Sequence, residues 1–273
     1  MPDAAPPSAA APSVPTPSAP TPSVPTPGVP TIPFAELLET GGTGDLLIFQ
    51  GKSPLDYMIQ LEEHAPYNHV GMLVRRPDGL FFWDAPGGGP GYPDPYRGNA
   101  SHPGTRVAPL PALFRDYMAD EVACFYRALS PALSDAQRAA LDLFIDAVDG
   151  FPFPGDGWKL PDELNLGIGI QASYFLGRHH HLTKAGSYFC AQLVADTYMH
   201  MGLLPPAPRP ANGYSPADFG ATDGSLPLVR ATLGPVTQVL RPPVAAEAAT
   251  LPHATAPEAV AAAVPAPPTG AAG

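Results

Sequence analysis

The chain has few cysteines, few basic residues and no long apolar run. Cys124 and Cys190 are its only cysteines in 273 residues, which excludes a dense disulfide framework and favours a reducing, intracellular setting. Lys and Arg number 14 against 25 Asp and Glu, a net charge of −11, which argues against nucleic acid and weakens docking to anionic lipid. No apolar run reaches the ~20 residues of a membrane span. The start MPDAAPPSAA lacks the basic and apolar parts of a signal peptide, so we expect a cytoplasmic protein without a transmembrane segment.

Proline is abundant instead, and it is concentrated near the two ends of the chain. It accounts for 40 residues, and from Pro12 to Thr31 it forms the pentapeptide array PSVPT-PSAPT-PSVPT-PGVPT. Fixed φ angles and little apolar bulk predict an extended, polyproline-type arm. The Ala/Pro-rich end has no aromatic residue to offset the entropy of ordering. We therefore predict a disordered arm over 1–31, one folded domain over 32–240 and a disordered tail over 241–273.

Local signals predict an α+β body, in which helices pack on an antiparallel sheet. Ser53-Pro54 and the capping box Ser134–Gln137 each mark the start of a helix. The turn Pro77-Asp78-Gly79 predicts that the strand beginning near His69 is followed by an antiparallel partner. The other predicted elements are an entry helix over Ile32–Leu38, strands over Asp45–Phe49, Thr105–Leu110 and Glu121–Ala128, a helix from Phe189 to about Met201, and short helices near Leu113–Met118 and Gly167–Leu176.

Cys190 lies in the first turn of a predicted helix, in the segment YFCAQLVADTY. A helix N-terminus carries partial positive charge and free N–H groups, which stabilise a thiolate and can hold an oxyanion. A buried structural cysteine is the competing interpretation, because free cysteines are common in protein cores. Cys124 lies in the middle of a predicted strand with no helix end nearby, which favours a structural role. Cys190 is therefore the candidate nucleophile.

His69 and Asp84 stand at matching ends of the predicted hairpin. His69 opens the apolar strand in YNHVGML, and Asp84 ends the partner strand in FFWDAPGGG. A histidine at the end of a sheet can act as a base, and a nearby carboxylate can hold its imidazole in the required tautomer. Taken alone, each residue also fits a plainer role, a histidine bonded to a backbone carbonyl or a solvated aspartate. Together with Cys190 they favour a cysteine-nucleophile site.

Five segments follow one another in a suggestive order: GDLLIFQGKSPLDYMIQ, NHVGML, the hairpin return with an acidic residue before a Gly-rich loop, YFCAQLV and GYSPADF. Together they resemble the permuted branch of the NlpC/P60 papain-like superfamily, the YiiX/YaeF-like or DUF830 group. The resemblance spans about Gly41 to Phe219, and in that branch the order is likewise histidine, acid, cysteine. The chain departs from the pattern at Asp84, where Glu is common, and at Ala191-Gln192, where Ser-Glu is more usual. The segment 151–187 has no counterpart.

The resemblance implies a circularly permuted papain-like fold and a cysteine-based mechanism. It makes Cys190 the nucleophile, His69 the general base and then acid, and Asp84 the residue that orients the imidazole. Tyr67, two residues before His69, would line the substrate pocket or supply a hydroxyl, with a packing role equally open. No cofactor or metal is implied, and the run His179–His181 favours a solvated loop because consecutive side chains diverge.

Three functions remain open from the sequence. The leading hypothesis is a thiol hydrolase, an amidase or peptidase or a lipid-type acyl hydrolase or acyltransferase, that forms an acyl thioester on a peptide-like or lipid-like substrate. The FFW run before Asp84 and the FPFP segment at Phe151 tilt this expectation towards an apolar acyl group. The alternative is a catalytically silent binding module whose proline-rich arm, with its P-x-x-P spacings, meets an SH3- or WW-type partner. A metallohydrolase that uses His179–His181 would contain bound zinc.

Overall fold

The computed structural model of the chain describes residues 24–87, 104–153 and 186–241. Within these ranges the strands are β1 (Thr31–Pro33), β2 (Leu46–Gly51), β3 (His69–Arg76), β4 (Gly79–Asp84), β5 (Arg106–Pro109), β6 (Glu121–Arg127), β7 (Leu129–Ser130), β8 (Thr232–Leu233) and β9 (Thr237–Leu240). The helices are α1 (Phe34–Thr40), α2 (Pro54–Glu63), α3 (Leu110–Asp120), α4 (Asp135–Val148), α5 (Cys190–His200) and α6 (Pro216–Gly220), with a 3₁₀ turn at Ala211–Gly213.

Seven of these strands form one sheet in the order β1-β9-β6-β2-β3-β4-β5. The neighbours are antiparallel from β9 to β5, while the edge strand β1 runs parallel to β9, with Thr31 opposite Gln238. The predicted α+β class is confirmed. The prediction of a purely antiparallel sheet is wrong at this one edge, because β1 comes from far away in the sequence and is not joined to β9 by a hairpin.

Helices cover both faces of the sheet. One face packs against α4, α5 and α6 through a core that contains Trp83, Phe125 and Tyr198. The other face packs against α1 and α3 through a core that contains Phe49 and Phe82. Apolar side chains alternate between the two faces along β2, β3 and β4, as expected for strands that are buried on both sides. The result is a three-layer arrangement whose central strands have little contact with solvent.

The local signals in the sequence position most of these elements correctly. Ser53 and Ser134 cap α2 and α4, each in a complete capping box with the side chain three residues later. The turn after Arg76 makes β3 and β4 an antiparallel hairpin. The entry helix begins at Phe34 rather than Ile32, since Thr31–Pro33 pairs with β9 as a strand.

The last part of the proline-rich array packs against the edge of the sheet. The amide of Gln238, 1% exposed, accepts from the backbone N–H of Thr26 at 2.6 Å and donates to the carbonyl of Val24 at 2.9 Å. The backbone N–H of Gln238 donates to the carbonyl of Pro30. Contacts of the body therefore begin before the predicted boundary at residue 32.

Other parts of the sequence predictions fall outside the described ranges. These are the rest of the proline arm, the Gly-rich loop after Asp84, the helix over Gly167–Leu176, the His179–His181 run and the tail from residue 242. Among the described helices, none has the length and apolar character needed to cross a membrane.

Candidate active site

Cys190 is the first residue of α5, and its side chain is mostly buried, with the residue 6% exposed. Two buried hydrogen bonds hold this helix against the sheet. The indole Nε1 of Trp83 on β4 donates to Thr197 Oγ1 at 3.1 Å, and the Tyr198 hydroxyl donates to the carbonyl of Gly44 at 2.7 Å. Because both anchors lie on α5 itself, the position of its N-terminus relative to the sheet is fixed. The thiol therefore has a defined location.

His69 is the first residue of β3, and a polar network fixes the chain just before it. Asn68 Oδ1 accepts from the backbone N–H of Gly51 at 2.6 Å, and Asn68 Nδ2 donates to Asp56 Oδ1 at 2.8 Å. The backbone N–H of Asn68 donates to the carbonyl of Phe49. These bonds tie the start of β3 to the end of β2 and to the first turn of α2. The imidazole is consequently carried on rigid backbone at the end of the sheet.

The structure brings His69 and Asp84 together. Nε2 of His69 lies 3.2 Å from Asp84 Oδ2, and the carboxylate is fully buried, whereas the imidazole is 14% exposed. Gly71 lies two residues after His69 on β3, and a Cβ there would come within 2.3 Å of the Phe82 ring. Glycine at this position leaves room for that ring below the imidazole.

Two further residues contact Asp84 that the sequence did not single out. Arg106 on β5 is directly opposite Asp84 in the sheet, and its Nε donates to Asp84 Oδ1 at 3.0 Å. Tyr117 on α3 donates a short hydrogen bond to Asp84 Oδ2 and accepts from Arg106 Nη2 at 3.0 Å. The Tyr117 hydroxyl is also 3.4 Å from His69 Nε2. Both oxygens of the carboxylate are thereby bonded.

These contacts influence the charges of Asp84 and His69. Burial would raise the pKa of the Asp84 carboxyl, but the guanidinium of Arg106, together with His69 and the Tyr117 hydroxyl, holds that pKa below its ordinary value. Burial likewise opposes a charge on His69, yet the adjacent Cys190 and Asp84 raise the pKa of the imidazole to about 10. Burial and the neighbouring carboxylate raise the pKa of Tyr117, which keeps its hydroxyl protonated. These contacts favour the anionic form of Asp84 and the cationic form of His69.

Cys190 is a second partner of the His69 imidazole besides Asp84. Its side chain is a hydrogen-bond partner of the His69 ring and acts on it electrostatically. Since Nε2 is directed to Asp84, Nδ1 is the ring nitrogen left for the thiol. The His69 imidazole thus makes polar contacts with both Asp84 and Cys190, and the catalytic roles of the three residues stay a prediction.

Tyr67 lies just before β3 and makes mainly packing contacts. β3 does not extend back to it, and its ring packs edge-on against Phe125 and closely against Gly220. The core around Phe125 lies on the α5 face and also contains Cys190, whereas the His69 ring contacts Phe49 and Phe82 of the opposite face. Tyr67 therefore makes packing contacts, and its role in substrate binding stays a prediction.

The apolar FFW run does not form a cleft. Phe81, Phe82 and Trp83 are at most 4% exposed and belong to the cores on the two faces of the sheet. The FFW run therefore gives no support to the expectation that the substrate has an apolar acyl group.

Cys124 has the features of a structural cysteine. It is fully buried on β6, is not disulfide-bonded, and burial raises the pKa of its thiol well above the ordinary value. In the part of the chain that the structure describes, no group of three or more His, Cys, Asp or Glu side chains could hold a metal ion.

Comparisons with known proteins add little beyond this geometry. No protein-family model matches the chain, and no curated protein is significantly similar. Among solved structures the chain is similar to the metalloprotein YiiX from Escherichia coli O157:H7, with a TM-score of 0.40 and 16% sequence identity over 72% of this chain and 96% of that chain. This likeness is too weak to assign a family or an activity.

Proposed function

We propose that the protein is a thiol hydrolase or acyltransferase that forms an acyl thioester on Cys190, with His69 and Asp84 as its partners. The observation that carries this proposal is the position of one imidazole between a fully buried carboxylate and a thiol at a helix N-terminus. The arrangement fits the logic of nucleophile, base and orienting acid. The same three residues underlie the proposed kinship with permuted NlpC/P60 papain-like enzymes.

The raised pKa of His69 determines how the first step proceeds. In the proposed first step, the protonated His69 imidazole is the counterion of a Cys190 thiolate, the nucleophilic form of cysteine. The thiolate attacks the carbonyl carbon of an amide or ester, and the electrons of the carbonyl move onto its oxygen. When the intermediate collapses, the leaving amine or alcohol takes the proton of His69, and the acyl group remains on Cys190.

In the second step His69 acts as a base. The neutral imidazole removes a proton from water or from another acceptor, which attacks the thioester and releases the acyl group. The thiolate is regenerated, and the imidazole keeps the proton. Asp84 holds the ring and stabilises its cationic form through Nε2.

The N-terminus of α5 suits the developing oxyanion. The first N–H groups of an α-helix have no acceptor within the helix, and the helix dipole favours negative charge at this end. The backbone N–H of Cys190 is the donor nearest to the attacking sulfur. We assign it as one oxyanion donor, as in other sites built at a helix start.

Acylation by an activated ester tests the proposal directly. The protein is incubated with p-nitrophenyl acetate and p-nitrophenyl octanoate, and the adduct is located by peptide mass spectrometry. We expect a burst of nitrophenolate and one acyl group on Cys190. The adduct should persist in Cys124→Ala and be absent in Cys190→Ala, while His69→Ala should slow its formation by about 10²–10⁴-fold.

The alternative outcome is equally clear. Acylation that is absent, or that falls only on surface amines, would contradict the thiol hydrolase. A binding module that displays the proline-rich arm would then be the better description.

A further inference from the structure

We propose that Arg106 is a positioning residue that neutralises Asp84, so that the His69 imidazolium is left as the counterion of the Cys190 thiolate. This inference rests on the proposed function. It concerns a residue that acts through Asp84.

The geometry pairs Arg106 with the Asp84 carboxylate. Its side chain is 5% exposed and its Nε is 3.0 Å from Asp84 Oδ1, the oxygen that His69 does not use. Direct cross-strand pairing of Arg106 with Asp84 places both side chains on the same face of the sheet. Tyr117 bridges the guanidinium and the other carboxylate oxygen, which keeps the pair aligned.

Among the described residues of this cluster, the charges sum to zero only when Arg106 is present. The groups that face one another are His69 from β3, Asp84 from β4, Arg106 from β5, Tyr117 from α3 and Cys190 from α5. With the tyrosine neutral, the catalytic state contains two anions, the thiolate and Asp84, and two cations, the imidazolium and Arg106. A buried site with zero net charge avoids the large cost of an unpaired buried ion.

Removal of the guanidinium changes which anion the imidazolium neutralises. With Arg106 absent, the neutral form of the cluster consists of the imidazolium, the Asp84 carboxylate and a protonated thiol. Ionising the thiol would then leave one excess buried negative charge. We therefore expect Cys190 to become reactive only at higher pH, although neither His69 nor Cys190 has been altered.

The test is the pH profile of Cys190 alkylation by iodoacetamide between pH 4 and 10. In Arg106→Met the acid-side midpoint should rise by about one to three pH units, the usual effect of one nearby charge. Arg106→Lys should keep most of the wild-type midpoint, because it keeps the charge.

A double variant that removes both the positive charge of Arg106 and the negative charge of Asp84 provides the sharper test. Asp84→Asn alone leaves an excess positive charge, so its midpoint should lie at or below that of the wild type. Adding Arg106→Met to Asp84→Asn restores zero net charge, and the midpoint should then lie well below that of Arg106→Met alone. A purely structural role for Arg106 predicts no such recovery. If Arg106→Met fails to fold, the double variant is compared with the wild type, and its midpoint should lie close to the wild-type value because both clusters have zero net charge.

Two controls accompany these variants. Arg75→Met removes a half-buried arginine from β3 whose guanidinium donates to carbonyls of Leu38 and Gly41, away from the site, and it should leave the midpoint unchanged. Alkylation of the fully buried Cys124 reports unfolding in every variant.

The outcomes separate this inference from the proposed function. If wild-type Cys190 reacts like an ordinary thiol of pKa ~8.5, the proposed function fails. If wild-type Cys190 reacts in mild acid and Arg106→Met in a folded protein has the same midpoint, only the role of Arg106 is refuted. A double variant with a midpoint as high as that of Arg106→Met would refute it as well.

Discussion

Replacing Gly71 with alanine tests how tightly the hairpin supports the imidazole. A Cβ at this position would lie 2.3 Å from Cζ of Phe82 and within 2.8 Å of both Cε atoms, closer than any real Cβ contact. The Phe82 ring is fully buried and packs edge-on against Phe49, so it cannot swing into solvent. Overpacking of this kind costs about 1–3 kcal/mol.

Urea unfolding measures this cost. We expect the free energy of unfolding of Gly71→Ala to fall by about 1–3 kcal/mol, and the alkylation rate of Cys190 to fall because the displaced ring contacts the His69 imidazole. The double variant Gly71→Ala/Phe82→Leu should regain part of the stability, since the smaller side chain vacates the space. Gly42→Ala is the matched control, because a Cβ there meets nothing closer than Asp45 at 3.4 Å. Wild-type stability in Gly71→Ala would refute the close packing described here.

Two further predictions concern pH and the proline arm. The pKa of His69 is raised to about 10, so the stabilising contribution of its charged form is complete below its unfolded pKa of ~6.5 and is lost as pH rises towards 10. The difference in unfolding free energy between wild type and His69→Gln should therefore shrink between these two pH values. A difference in urea midpoints that stays constant over this range would contradict the prediction. The lowered pKa of Asp84 acts in the opposite sense and removes stability only in acid. Gln238→Ala should lower the free energy of unfolding by about 1–3 kcal/mol and speed proteolysis near Val24, because the variant loses both side-chain hydrogen bonds to the arm. Unchanged cleavage would show that these bonds do not hold the arm.

The elements that depend on neighbouring residues could be predicted from the sequence. The capping boxes at Ser53 and Ser134 are complete within four residues, and the hairpin that joins His69 to Asp84 follows from a single turn. The position of Cys190 at a helix start likewise needs only local signals. For this reason the three candidate catalytic residues were recognisable before the fold was known.

The rest depends on contacts between distant segments. Arg106 acquires its role from the register between β4 and β5, and Tyr117 from the packing of α3 on the sheet, neither of which has a local signature. The parallel pairing of β1 with β9 and the bonds from Gln238 to Val24 join the two ends of the folded body. The sequence signal that could have directed attention to an acidic partner is an arginine, Arg106, within the otherwise largely apolar predicted strand Thr105–Leu110, because a charged residue buried in such a strand needs a partner.

In the proposed mechanism His69 activates Cys190. The most direct test compares the rates of Cys190 alkylation at pH 6 in the wild type and in His69→Ala. The thiolate–imidazolium pair predicts fast labelling in the wild type and a decrease of at least about 10-fold in His69→Ala, with Cys124 unlabelled in both proteins because it is buried. Equal, slow labelling of Cys190 in the two folded proteins would contradict the account.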